Sequence, residues 1–156
     1  MYVWLLALLQ WLHVLGGIFW FGGVLTTDFI VLPAVTRLPS AAQHAFVTAF
    51  AQLAERIVIP VATMTIVLGL VRGIVGGVLG RLATAYGVSW IAAFFVGTGL
   101  LLFGIRILTP AANKLLEMPP GPEFDAALPR IKRLTLAELA GFGVILVLMI
   151  AMRFGY

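Results

Sequence analysis

Four long stretches of this chain carry almost no polar residue, and the charged residues gather in the segments between them. The stretches are roughly Tyr2–Thr27, Ile57–Leu79, Tyr86–Leu108 and Leu134–Met152. Each approaches or exceeds the ~20 apolar residues that a membrane-crossing helix needs. The pattern predicts an all-α fold, a membrane-embedded antiparallel four-helix bundle formed by residues 1–156 as one domain. The spans run over about 2–30, 57–79, 86–108 and 134–152. The short segment Gly80–Gly87 makes spans two and three an antiparallel pair.

The connections carry their own signals. Ser40 and Gln43 have the spacing of a capping box, with Ser40 at the N-cap and Gln43 three residues later. Phe46, Phe50, Leu53 and Ile57 follow at helical spacing, which predicts a short amphipathic helix on the cytoplasmic interface, with His44 in its first turn. Pro60 falls near the start of the second span. Met118-Pro119-Pro120-Gly121-Pro122 must break any helix, and Glu123–Arg133 is expected to form a turn or two before the last span.

Composition sharpens the class. The chain is 62% hydrophobic and 10% charged, far below the roughly 25% charged residues of soluble domains. Its net charge of +4 is a topology signal. Arg37, Arg56, Lys114, Arg130, Lys132 and Arg133 all fall in the first and third connections, and the positive-inside rule puts those in the cytoplasm and both termini outside. No basic face with base-reading elements is present, so no nucleic acid is expected as a partner. The first apolar stretch lacks a basic leader and a small-residue cleavage site, so it is read as a retained span. With no cysteine, disulfides and thiolate metal sites are excluded.

Against this apolar background the polar residues inside the spans stand out. His13 falls near the middle of the first span, where a donor and an acceptor meet no water. Either it bonds a neighbouring helix or it is a ligand to a metal or cofactor. Arg72 lies about 6 Å to the outer side of its span's middle, at ~1.5 Å per residue. It must snorkel to the surface or meet an anion such as a cofactor propionate, because no acidic residue is predicted in that half. Arg106 and Glu138, at similar cytoplasmic depth, read as a structural ion pair.

Trp11 and Trp20 are deep enough to be core or pocket walls, whereas Trp4 suits the interface. Gly69, Gly73 and Gly77 repeat every fourth residue, a spacing that lets helices approach closely within the chain or in a homo-oligomer. Met64, Met149 and Met152 are soft donors within the spans, and Met149 and Met152 share one helix face toward the outer end, away from His13 and Met64.

The run Leu12-His13-Val14-Leu15-Gly16-Gly17-Ile18-Phe19-Trp20-Phe21-Gly22-Gly23, followed by Val31-Leu32-Pro33, resembles the first helix of copper-resistance protein D (CopD)-like membrane domains. Tyr86-Gly87-Val88-Ser89-Trp90-Ile91 opening the third span, and Pro110 closing it, are similar to the same pattern. A more distant likeness is to HemJ-type protoporphyrinogen oxidases, whose pattern carries a lysine after the third span's tryptophan; here that stretch is Ala92-Ala93-Phe94-Phe95.

The CopD-like resemblance implies a bacterial-type inner membrane and copper handling, and the HemJ-like one implies heme and oxidoreductase chemistry. Heme b, with His13 as axial ligand, Arg72 at the propionates, Trp20 as a wall and Met64 as a sixth ligand, is the reading the residues favour. A second His13 from a twofold partner is another sixth ligand. A copper-handling protein, or a small subunit of a larger membrane complex, is the alternative.

Overall fold

The computed structural model describes residues 2–155 and shows an all-α, four-helix antiparallel bundle. The helices are α1 (Tyr2–Val35), α2 (Ser40–Val75), α3 (Ala85–Leu116) and α4 (Pro122–Phe154), and each is long and apolar enough to cross a membrane. At ~1.5 Å per residue they are about 50 Å long, well beyond a ~30 Å hydrocarbon core. The α1–α2 and α3–α4 connections lie at one end, and the six basic residues named above are exposed in and near them. We call this the basic end. At the opposite, terminus end, the Tyr2 hydroxyl donates to the Val75 carbonyl and joins the start of α1 to the end of α2.

The helices run through several predicted breaks. Ser40–Arg56 is helical as expected but continuous with the second span, so Pro60 sits well inside α2. Glu123–Arg133 is likewise the first part of α4, which continues through Pro129. The capping box does not form: the Ser40 hydroxyl donates to an Asp125 carboxyl oxygen at 3.0 Å, and the Gln43 side-chain amide donates to the Leu38 carbonyl at 2.7 Å. Neither Pro33 nor Pro110 ends its helix. Each follows a widened π-helical turn, Thr27–Val31 in α1 and Gly104–Leu108 in α3. Proline has no N–H, and its ring crowds the carbonyl four residues back. Opening one turn relieves that crowding, so that Leu32 N–H bonds Thr27 O and Thr109 N–H bonds Gly104 O.

Between α2 and α3 the chain reverses in a short 3-10 turn, Val78–Arg81. Gly77 enters it with φ 79°, a left-handed conformation that glycine adopts without steric cost. Thr84 caps α3, its hydroxyl accepting from the Gly87 amide at 3.3 Å.

Two cores hold the bundle. The central one packs Trp20, Ala62, Leu100 and Phe142, with the Trp20 and Phe142 rings edge to face at 4.8 Å. The second lies in the extension at the basic end, where Leu115, Phe124 and Leu128 pack against Val47 and Ile131. His44 belongs to it, bonding the Leu116 carbonyl at 3.1 Å and packing on Phe124.

The outer surface of the bundle is apolar. Trp4, Trp11, Phe95 and Val147 are each at least 66% exposed. Trp11 thus faces outward, and only Trp20 of the two deep tryptophans is a wall of the interior.

Phe124 has no exposed surface, whereas Phe95 is 67% exposed. Phe124→Ala is expected to cost ~3–5 kcal/mol, as a cavity in a packed core does. Phe95→Ala, which opens no cavity, should leave the unfolding transition in detergent nearly unmoved. Thermal unfolding of both variants beside the wild type checks the contrast.

Candidate functional site

One face of every helix converges on a single interior space. On α1 that face is Gln10, His13, Gly17 and Trp20, on α2 Thr65, Gly69, Arg72 and Gly73, on α3 Tyr86, Trp90, Ala93 and Gly97, and on α4 Phe142, Ile145, Met149 and Met152. Steps of three and four residues place side chains on one stripe of a helix, which is why four separate periodicities meet here. Between them lies a cavity of about 760 Å³, within the ~300–1,000 Å³ of cavities that take cofactor-sized ligands. It opens because α1 packs chiefly along α2 and α3 along α4, while α1 meets α4 over a shorter stretch around Trp20 and Phe142.

His13 is held in one orientation. Its Nδ1 lies 2.8 Å from the Thr65 backbone carbonyl. A carbonyl only accepts, so Nδ1 carries the proton and Nε2 keeps its lone pair. The ring can reach that carbonyl because Gly69 has no side chain: a Cβ there would stand 2.7 Å from Cε1 and 3.0 Å from Nδ1. Trp90 lies against the next glycine of the stripe, Gly73, and its indole N–H points at the Gly69 carbonyl, 3.4 Å away. Two of the three glycines of the repeat therefore serve contacts inside this chain.

Among the described residues, Arg72 and Arg153 are the charged residues of the cavity wall, and no Asp or Glu side chain lines it. The Arg72 Nε is buried without a hydrogen-bond partner. Its guanidinium lies over Gly76, one turn nearer the terminus end, in the space a side chain would need. The basic group thus leans toward the surface while part of it stays in the cavity wall.

Of the residues singled out in the sequence, the cavity gathers His13, Arg72 and Trp20. Met64 is 60% exposed and lies in a separate shallow groove with Leu12, Gly16 and Pro60, on another face of α2. Met149 and Met152, expected away from His13, line the same cavity as the imidazole. Tyr86 and Arg153 also reach it and were not singled out as site residues; the helical spacing of Arg153 after Met149 is the signal that marks it. Arg106 does not pair with Glu138. Arg106 is exposed, and Glu138 is buried beside Trp20 and Asp28. Among the described residues, no group of three or more His, Cys, Asp or Glu is placed to hold a metal ion.

No family model matches the chain, and no characterised protein or solved structure is significantly similar to it.

The two histidines are expected in opposite tautomers, because His13 bonds a carbonyl through Nδ1 and His44 through Nε2. Nitrogen-15 NMR of histidine-labelled protein above the imidazole titration range reads this directly, with His44→Ala supplying the assignment. Gly69→Ala should convert the His13 signal to a mixture of tautomers as the ring loses the Thr65 carbonyl. An unaltered spectrum in that variant would mean that Gly69 does not seat the ring.

Proposed function

We propose that this chain is a multi-pass membrane protein that binds heme b in the interior cavity, with His13 Nε2 as an axial ligand and electron transfer as its role. The observation that carries the reading is the fixed imidazole. A histidine whose Nδ1–H is tied to a backbone carbonyl presents Nε2 as a ready ligand, the arrangement found around metal-bound histidines generally.

The rest of the cavity supports a heme over a bare metal ion. A heme brings four nitrogen donors of its own and asks the protein for one or two more. A bare hard or borderline ion needs several carboxylate, imidazole or thiolate ligands, and no group of three or more His, Cys, Asp or Glu gathers among the described residues. The cavity is lined chiefly by apolar and aromatic side chains, as a planar macrocycle requires, and its cationic groups are Arg72 and Arg153. With no Asp or Glu among the described residues of the wall, these two guanidinium groups suit the propionates of a heme. Met149 and Met152, which line the cavity where Met64 does not, would be the methionines able to supply a thioether donor to a bound heme.

Membrane insertion follows from the outward-facing tryptophans and phenylalanines, which in water would form one continuous sticky surface. The exposed arginines and lysines of the basic end support placing that end in the cytoplasm, by the positive-inside rule.

A second reading rests on the same two methionines. His13 nitrogen with the Met149 and Met152 thioethers is a soft donor set suited to copper(I), so a copper-handling role is the alternative.

Absorption spectra of the detergent-purified protein, before and after dithionite, decide between them. The heme reading expects a Soret band that sharpens on reduction and is lost in His13→Ala. It also expects Arg72→Leu to keep the reduced spectrum while binding heme on the order of tenfold more weakly, the cost of one charged contact. A protein that stays colourless after heme supplementation would sink the heme reading. Copper retained by that colourless protein, and released in a Met149→Leu, Met152→Leu double variant, would establish the second.

A further inference from the structure

Below the cavity, toward the basic end, the bundle interior holds two acids that no cation balances. Asp28 stands on the widened π turn of α1 and is 2% exposed, while its neighbours Phe29 and Ile30 face outward. Neither of its carboxyl oxygens has a hydrogen-bond partner. Glu138, on α4, is 5% exposed. Its carboxyl group receives the indole N–H of Trp20 and lies close enough to Asp28 for the two charges to act on each other. The nearest charged groups on the other helices, Glu55 and Arg56 on α2 and Arg106 on α3, are exposed.

Ionising both acids would strip two carboxylates of their hydration and set like charges side by side in an apolar interior. Two buried oxygens of Asp28 would then be charged acceptors without a single donor, an arrangement that folded proteins avoid. A guest of positive charge removes the conflict. The smallest is a proton, and it needs no third ligand, whereas a bound metal ion would call for more oxygen donors than the two acids supply.

We propose that Asp28 and Glu138 form a proton-binding carboxyl pair that holds at least one proton in the bundle interior, linked through Trp20 to the cavity above. Trp20 is the physical link, because its ring walls the cavity while its N–H engages Glu138. The pair goes beyond the heme reading and does not depend on it. Any guest of the cavity that changes charge would feel the pair's proton through this residue.

Infrared spectra of the full chain in lipid bilayers, at neutral pH in light and in heavy water, read the C=O stretch of a protonated carboxyl group. The wild type should show such a band, shifted by deuterium exchange, and it should be lost or weakened in both Asp28→Asn and Glu138→Gln. Trp20→Phe, which removes the N–H donor, should move the band; an unmoved band overturns the link to the cavity. Because Asn and Gln imitate protonated acids, the variant at the protonated member of the pair should keep the wild-type melting midpoint. A fall in the midpoint of both variants would make the carboxylate charge the required form at each position and overturn the proposal. Absence of the band in the wild type would do the same, and a melting midpoint raised by sodium or calcium ions would then assign the site to a metal cation.

Discussion

A hydrogen bond from the His13 ring to the Thr65 carbonyl is the interaction on which the interior of this bundle turns. It closes the α1–α2 seam from both sides. His13 fits over Gly69, and three residues further along α1 the missing side chain of Gly16 leaves room for Thr65 itself. The bond satisfies the half-buried imidazole donor that an apolar interior would otherwise leave stranded. It also spends that donor, so the other nitrogen is the one left to a guest. Packing, tautomer and ligand capacity are thus three consequences of one contact.

Much of this was legible in the chain and some of it was not, for identifiable reasons. Long apolar runs announce helices without ambiguity, because hydrocarbon tolerates few other backbone structures. The intramembrane cost of a polar group marked His13 and Arg72, and the helical repeat marked Trp20. Which face of a helix looks inward is harder to read when nearly every position is apolar. Trp11 and Met64 sit one face away from the interior for that reason, and Met149 and Met152 turned out to share the cavity with His13. Depth along the axis had kept those methionines apart from the imidazole, but a cavity spanning three turns of helix reaches both levels.

The prolines explain the other differences. Read along the chain, Pro33 and Pro110 look like helix ends and Pro60 like a helix start. In this bundle the packing of neighbouring helices outweighs one missing N–H, and before Pro33 and Pro110 the helix widens a turn instead of stopping. The widened turn of α1 has a consequence for chemistry. It brings Asp28 inward, and the ion pair anticipated between Arg106 and Glu138 gives way to two acids facing each other while Arg106 lies outside. Charge and depth alone suggested the wrong partner because the local winding of the helix, which sets the direction of a side chain, is not written in its spacing.

Charge is consequently sorted along the interior. The cavity wall is cationic, through Arg72 and Arg153, and the level beneath it is acidic, through Asp28 and Glu138, with the Trp20 ring between. A negative charge gained by a guest of the cavity is stabilised by the arginines above and disfavoured by an ionised pair below. The pair relieves that by taking up a proton, and a proton so held in turn favours the negative guest. Linkage makes these two effects equal in free energy, whatever the guest is. A basic exterior at the same end sharpens the contrast, since Arg37, Arg56 and Arg130 face solvent and lend the buried acids nothing at contact range. The acids are therefore answerable to the cavity more than to the surface, which is the arrangement a bundle needs if charge movement at one level is to be matched by a proton at the other.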